Sequence, residues 1–175
     1  QQQAVEQTSE YFKKNIGLFD NPPSYLWNAK MRFGKTFTTY QLAKKMGWKR
    51  ILVLTWVPSV ENEWKAELKN HADFTDWQFI GKSETYEEIS ESEPLCWFAS
   101  FQDIKPHKGS SEVKPRHKPV YEIDWDCIIL DEYHYGAWNE ESKKFFGQLE
   151  QKFEEQTALK SKSFLHLSGT PFRAL

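Results

Sequence analysis

The chain is poor in several things at once. Among 175 residues it has two cysteines and two methionines. Cys96 and Cys127 each lie in an apolar, strand-like run, with no metal-ligand spacing and no further cysteines to form a framework. That pattern excludes a disulfide scaffold, suits a reducing compartment and makes both residues candidates for burial. Long hydrophobic runs are also missing. No apolar stretch approaches the roughly 20 residues of a membrane helix, and no signal-peptide pattern opens the sequence, so a cytoplasmic protein with no membrane partner is expected. Charge of one sign is missing too: 23 Lys and Arg against 25 Asp and Glu leave a net charge of -2. No global basic field advertises a nucleic-acid partner, and any such contact must come from a local patch. No internal repeat is visible.

What remains is a globular composition, 39% hydrophobic and 27% charged, at the length of one domain with a single core. Aromatics are abundant, at 16% with eight tryptophans. Trp27, Trp56, Trp97 and Trp125 sit in or beside apolar runs and are expected to pack in the core.

The pattern along the chain predicts alternating strands and helices. A helix runs from the opening glutamines through Phe12-Lys13-Lys14, and Asn15 to Ser24, with Pro22 and Pro23, breaks it. Tyr25-Leu26-Trp27 reads as a short buried strand. A helix follows from about Lys35 to Met46, ended by Gly47. Ile51 to Leu54 suits a parallel strand buried on both faces, and Ser59 can cap a helix to about Asn70. Trp77 to Ile80, Leu95 to Ser100, Ile128 to Leu130 and Phe164 to Leu167 are further strand candidates, and Asn139 to Glu155 is an amphipathic helix. Strands alternating with helices predict an α/β fold with a mostly parallel central sheet and helices on both faces. Residues 103–122 depart in composition, with Lys105, His107, Lys108, Lys114, Arg116, His117 and Lys118 among three prolines. They read as an inserted basic loop, long and exposed. The sequence opens inside a helix and stops just past Pro171-Phe172-Arg173, so the chain is expected to be part of a longer protein.

Three short motifs carry chemistry. Ala29-Lys30-Met31-Arg32-Phe33-Gly34-Lys35-Thr36 matches the phosphate-loop pattern G-x-x-x-x-G-K-[ST], with Ala29 in place of the first glycine, between a strand and a helix. Backbone N–H groups there supply positive potential for phosphates. Gly34 lets the backbone approach, Lys35 reaches the β- and γ-phosphates, and the Thr36 hydroxyl is placed for Mg²⁺. Asp131 and Glu132 end the apolar run Cys127-Ile128-Ile129-Leu130. Ligands of open α/β sheets bind at the carboxyl ends of the strands, so Asp131 would hold Mg²⁺, directly or through water. Glu132 would orient or deprotonate an attacking water. Ser168-Gly169-Thr170-Pro171 follows the last strand run and can bridge the phosphate site to a neighbouring surface.

Taken in order, these segments resemble the first motor domain of superfamily 2 DEAD/DEAH-box helicases and translocases, above all the restriction-enzyme-subunit type found in type I and type III restriction motors. The resemblance covers nearly the whole chain and implies a RecA-like P-loop NTPase domain, 1–175, followed elsewhere by a second RecA-like domain. It implies ATP and Mg²⁺ as cofactors. Motif I maps onto Ala29, Gly34, Lys35 and Thr36, and motif II onto Asp131, Glu132 and His134. Motif III maps onto Ser168, Gly169, Thr170 and Pro171; there His134, Ser168 and Thr170 couple hydrolysis to movement. Thr55 to Glu67, with Pro58, is similar to motif Ia, and the stretch to Ser100 and Gln102 precedes another segment facing nucleic acid. Gln1 is chosen among three successive glutamines as the one supplied to adenine.

The resemblance therefore implies the ATP-binding half of a DNA helicase or translocase in a restriction-modification or phage-related system. Nucleic acid, most simply DNA, would be a partner, with nuclease, methyltransferase or specificity domains or subunits as others. An arginine finger from a second domain is worth roughly 10³–10⁵ in kcat, so this chain alone is expected to hydrolyse ATP slowly or not measurably. A nucleotide-switched P-loop ATPase module without translocation, and a nucleic-acid-binding domain built on the 103–122 loop, remain open alternatives.

Overall fold

The structure, a computed structural model, describes residues 1–29, 33–104, 113–132 and 159–169. Their helices are α1 (Gln2–Asn15), α2 (Lys35–Met46), α3 (Glu61–Asn70), α4 (Phe101–Ile104) and α5 (Lys118–Glu122). Their strands are β1 (Ser24–Asn28), β2 (Arg50–Thr55), β3 (Gln78–Ile80), β4 (Leu95–Ser100), β5 (Asp124–Trp125), β6 (Cys127–Asp131), β7 (Lys160–Ser161) and β8 (Phe164–Ser168). Among the described residues, six strands form one sheet in the order β1-β8-β6-β2-β4-β3, every pairing parallel, and β5 pairs with β7 apart from it. The expected helix over Asn139 to Glu155 lies outside the described residues.

Parallel sheets form when both faces are covered, and the central strands show it. Every residue of β4, β6 and β8 is buried, and in β2 only Arg50 is not. Alternate residues serve two cores. Ile51, Val53, Cys96, Phe98, Ile129 and Leu165 join the face covered by α1, α2 and α3. Leu52, Leu54, Trp97, Ile128, Leu130 and Phe164 join the opposite face with Ile104, Val120 and Tyr121.

Three local expectations change. β1 is not a fully buried strand: it stands at the end of the sheet order beside β8, and its burial is confined to Trp27 while Leu26 is 43% exposed. The Trp27 indole N–H donates to the Thr8 hydroxyl at 2.8 Å, fastening α1 onto this strand. Ser59 does not cap α3. Pro58 starts a 3₁₀ turn, Pro58–Val60, which runs straight into the helix with Val60 at the cap, so Ser59 lies inside the turn. Finally, residues 113–122 are not an exposed loop. Pro115–His117 and α5 are helical, and His117, Val120 and Tyr121 are buried. Lys114 pairs with Asp103 at 3.0 Å, and Arg116 donates to the carbonyls of Gly81, Lys82 and Glu84. These two cations therefore serve the fold.

Cys96 and Cys127 lie in β4 and β6, both free and fully buried, and burial pushes each thiol up to about 12. A thiol at that value is almost wholly protonated near neutral pH, and the thiolate is the reactive form. The folded protein should resist alkylation, with both cysteines labelled only after unfolding. Rapid stoichiometric labelling of the native protein at either position would contradict this packing.

His166, in β8, carries a titration signature. Burial pulls its imidazole from the usual 6.5 down to about 4. The unfolded chain then takes up a proton that the folded chain refuses between pH 6.5 and 4. Stability is fully present above that window and falls as pH drops through it, by about 3 kcal/mol. His166→Gln should flatten the pH dependence of the urea midpoint across the window. An unchanged slope would show that His166 is not its source.

Candidate nucleotide-phosphate site

The carboxyl ends of four adjacent strands deliver the motif residues to one edge of the sheet. β1 leads into Ala29, whose N–H donates to the Ser168 carbonyl at the end of β8, at 2.9 Å. Gly34 opens α2 with φ +75°, the left-handed conformation that glycine adopts at no steric cost, and an added Cβ there would stand 2.7 Å from Gln1 Nε2. Gln1 in turn donates to the Phe33 carbonyl at 2.5 Å. At the start of α2, the Thr38 and Thr39 hydroxyls donate back to the carbonyls of Gly34 and Lys35, each at 2.8 Å.

β6 ends on Asp131, which is 4% exposed. Glu132 then turns the chain with φ +53°, a conformation rare outside glycine. Such backbone outliers concentrate at functional sites. The turn brings both carboxylates to one ammonium: Lys35 Nζ lies 2.6 Å from Glu132 Oε1 and 3.5 Å from Asp131 Oδ1. Burial lowers the Lys35 pKa, but the charge of Asp131, followed by Glu132, outweighs it and the net shift is upward. Burial raises the Asp131 pKa, against the opposing pull of Lys35 and of the Trp64 indole. Gly169 completes the cluster: a Cβ placed on it would lie 3.6 Å from both Lys35 Nζ and Glu132 Oε1. The arrangement is a cation between two acids, beside a helix N-terminus, and a phosphate group could compete with those acids for the lysine.

Helix α3 touches the same site from behind. Trp64 Nε1–H donates to Asp131 Oδ2 at 3.0 Å, and the Thr36 hydroxyl donates to Glu63 Oε1 at 3.2 Å. The oxygens of Thr36 and Asp131 are hard donors suited to Mg²⁺, which takes one or two protein ligands and completes its shell with phosphate and water. Among the described residues there is no group of three or more His, Cys, Asp or Glu that could cage a metal.

Among the described residues, two cavities open near these elements. One, of about 610 Å³, lies between α1 and α2 and is lined by Gln1, Gln2, Phe37, Thr38, Gln41 and His71 among others. The Phe37 and His71 rings stand 5.1 Å apart in it. The other, of about 320 Å³, lies past the ends of β2 and β4 and is lined by Pro58, Glu61, Lys82, Ser100, Lys114 and His117 among others.

The expected residues therefore sort into groups. Lys35, Asp131 and Glu132 meet directly, with Gly34, Thr36, Ala29 and Ser168 around them. Gln1 reaches the phosphate loop and lines the larger cavity. Pro58 and Ser100 share the smaller one, and Gln102 is exposed on α4. His134, Thr170 and Pro171 lie outside the described residues, as does the Met31-Arg32 interior of the loop. Sequence reasoning missed Glu63 as the partner of Thr36 and the bond from Trp64 to Asp131. It also missed Phe37 and His71 as a pair. Trp64 stood within a named motif, but nothing in the sequence linked it to a carboxylate 67 positions away.

The family described as "Type III restriction enzyme, res subunit" matches residues 1–173. A putative type II restriction enzyme and methyltransferase of Mycoplasma pneumoniae, RM.MpnORF110P C-terminus, is 38% identical over 142 residues, 76% of this chain and 19% of that protein. The SWI2/SNF2 ATPase core of Sulfolobus solfataricus in complex with double-stranded DNA superposes with a TM-score of 0.66 at 22% identity, covering 97% of this chain and 31% of that one. The SWI2/SNF2 ATPase core domain of Sulfolobus solfataricus gives a TM-score of 0.59 at 18% identity, covering 97% of this chain and 30% of that one. The mostly parallel sheet with helices on both faces is thus that of a RecA-like ATPase core. The chain spans about a fifth of the curated relative and about three tenths of the solved structures. No helix among the described residues is long and apolar enough to cross a membrane.

Proposed function

Since the chain belongs to the type III restriction enzyme res subunit family, as a helicase-like ATPase domain, we propose that it binds ATP with Mg²⁺ and hydrolyses it to drive movement on DNA. The observation that carries the proposal is the contact of Lys35 with Glu132 at 2.6 Å and Asp131 at 3.5 Å, beside the left-handed Gly34 turn. Lys35 exchanges its carboxylate partners for the β- and γ-phosphates, and the N–H groups opening α2 take further phosphate oxygens. Thr36 and Asp131 would hold Mg²⁺, which supplies neutralisation of phosphate charge when bound. Glu132, released from Lys35, accepts the proton of the water that attacks the γ-phosphorus, and ADP leaves as the P–O bond breaks. Ala29 and Gly34 let the loop backbone close on the phosphates. Gln1 faces the base, with Phe37 and His71 as the aromatic side of its cavity.

Residues 1–175 act in this reading as the first RecA-like domain of a longer protein, closing against a second. His134, Ser168 and Thr170 couple the phosphate site to that partner, and Pro58, Ser100 and Gln102 face the nucleic-acid backbone. The relative from Mycoplasma pneumoniae, described as a restriction enzyme and methyltransferase, supports a restriction-modification setting. The Sulfolobus core, described in complex with double-stranded DNA, supports a duplex as substrate.

Steady-state ATPase of the full-length protein with and without duplex DNA tests the motor reading. Stimulation by DNA is the expected result. Turnover indifferent to DNA and RNA would replace it with a nucleotide-switched module that does not translocate.

A further inference from the structure

We propose that helix α3 is the brace of the cation site: Trp64 orients Asp131 and Glu63 orients Thr36, so that two consecutive residues fix both candidate cation ligands from behind. This rests on the Mg²⁺-nucleotide reading above.

An indole N–H is a donor only, and an ionised carboxylate is an acceptor only. Trp64 Nε1–H on Asp131 Oδ2, at 3.0 Å, therefore occupies one carboxylate oxygen and directs the other, Oδ1, towards Lys35 Nζ. Oδ1 is steadied by the Glu132 N–H at 2.9 Å. The indole cannot turn away. Trp64 is fully buried, its ring meets the Tyr40 ring edge-on at 5.5 Å, and the Tyr40 hydroxyl donates to the Trp64 carbonyl at 2.8 Å. Thr36 is held by the complementary logic. Its single hydroxyl hydrogen goes to Glu63 Oε1 at 3.2 Å, which leaves both oxygen lone pairs for a cation. Neighbouring positions on a helix point about 100° apart, and this lets one turn of α3 reach a ligand on the phosphate loop and another at the end of β6. Partners of this kind set ligand orientation, and their loss typically costs 10–100-fold in metal affinity.

A purely structural role predicts something different, since a buried indole bonded to a carboxylate could simply satisfy the core. The two are separated by equilibrium binding of a fluorescent ATP analogue to the full-length protein, titrated with Mg²⁺. The variants are Trp64→Phe, Glu63→Ala and Leu68→Ala. Leu68 is a fully buried α3 residue that reports on loss of packing alone. Trp64→Phe and Glu63→Ala should each raise the Mg²⁺ midpoint by about 10-fold or more, with metal-free nucleotide affinity within about twofold of wild type. Leu68→Ala should lower the Tm and leave the Mg²⁺ midpoint in place. An unchanged midpoint in Trp64→Phe, or equal shifts in Trp64→Phe and Leu68→Ala, would overturn the proposal. If Trp64→Phe fails to fold, Glu63→Ala, altered at an exposed position, decides it alone. Wild-type binding that ignores Mg²⁺ would instead defeat the cation reading itself, and this inference with it.

Discussion

Glu132→Gln is expected to lower kcat of the full-length protein by about 10²–10⁴-fold, the usual contribution of a positioned general base, while ATP still binds. The amide keeps the size of the side chain and its place in the left-handed turn at φ +53°. What it loses is the capacity to take a proton from water. Lys35 loses one of two carboxylate partners and retains Asp131 at 3.5 Å. Because the Lys35 and Glu132 side chains are 19% and 21% exposed, water screens their pair and the stability cost stays near 1 kcal/mol or below. Single-turnover hydrolysis and equilibrium ATP binding measured on the same sample check both halves. Hydrolysis within a few-fold of wild type would remove Glu132 from the base role.

Lys35→Ala is expected to act at both stages. It removes the cation proposed to meet the β- and γ-phosphates, so ATP binding should weaken. In the proposed mechanism it also removes a charge on the transferring phosphoryl group, for which losses of about 10²–10³-fold in kcat are typical of one preorganised donor. The two effects multiply in kcat/KM. The substitution leaves Asp131, 4% exposed, beside Glu132 with no ammonium between them. Burial already raises the Asp131 pKa, and without Lys35 it rises further, so Asp131 takes up a proton more readily. The fold should persist by circular dichroism while DNA-stimulated turnover disappears. Preserved turnover in a folded Lys35→Ala protein would refute the assignment.

The placement of these residues was legible because its signals are local in the sequence. Gly34-Lys35-Thr36 opens a helix after a strand, and Asp131-Glu132 closes an apolar run, so each motif announces both its residues and its position in the fold. The parallel strand pattern then brings Lys35 and Glu132 together across 97 positions. Ile51 to Leu54 and Leu95 to Ser100 were readable for the same reason: continuous apolar runs mean strands buried on both faces.

The less legible parts depend on partners distant in sequence. Leu26 looks apolar enough for the core, but the end position of β1 in the sheet order leaves it 43% exposed. The prolines and cations of residues 113–119 suggested an exposed loop. Pro119 instead lies in the first turn of α5, where its missing N–H costs nothing, and Val120 and Tyr121 follow it into the core. Arg116 is spent on three backbone carbonyls of the segment after β3, a choice fixed only by packing. Trp64 was recognisable as part of a motif, but its bond to Asp131 depends on how α3 lies across the sheet.

Nucleotide binding at this site is decided by a structure of the full-length protein with Mg²⁺ and a non-hydrolysable ATP analogue. The γ-phosphate should lie within hydrogen-bond distance of Lys35 Nζ, with the 2.6 Å contact between Lys35 and Glu132 broken and the base in the cavity beside Gln1 and Phe37. A nucleotide bound elsewhere, with the Lys35 and Glu132 pair intact, would contradict it.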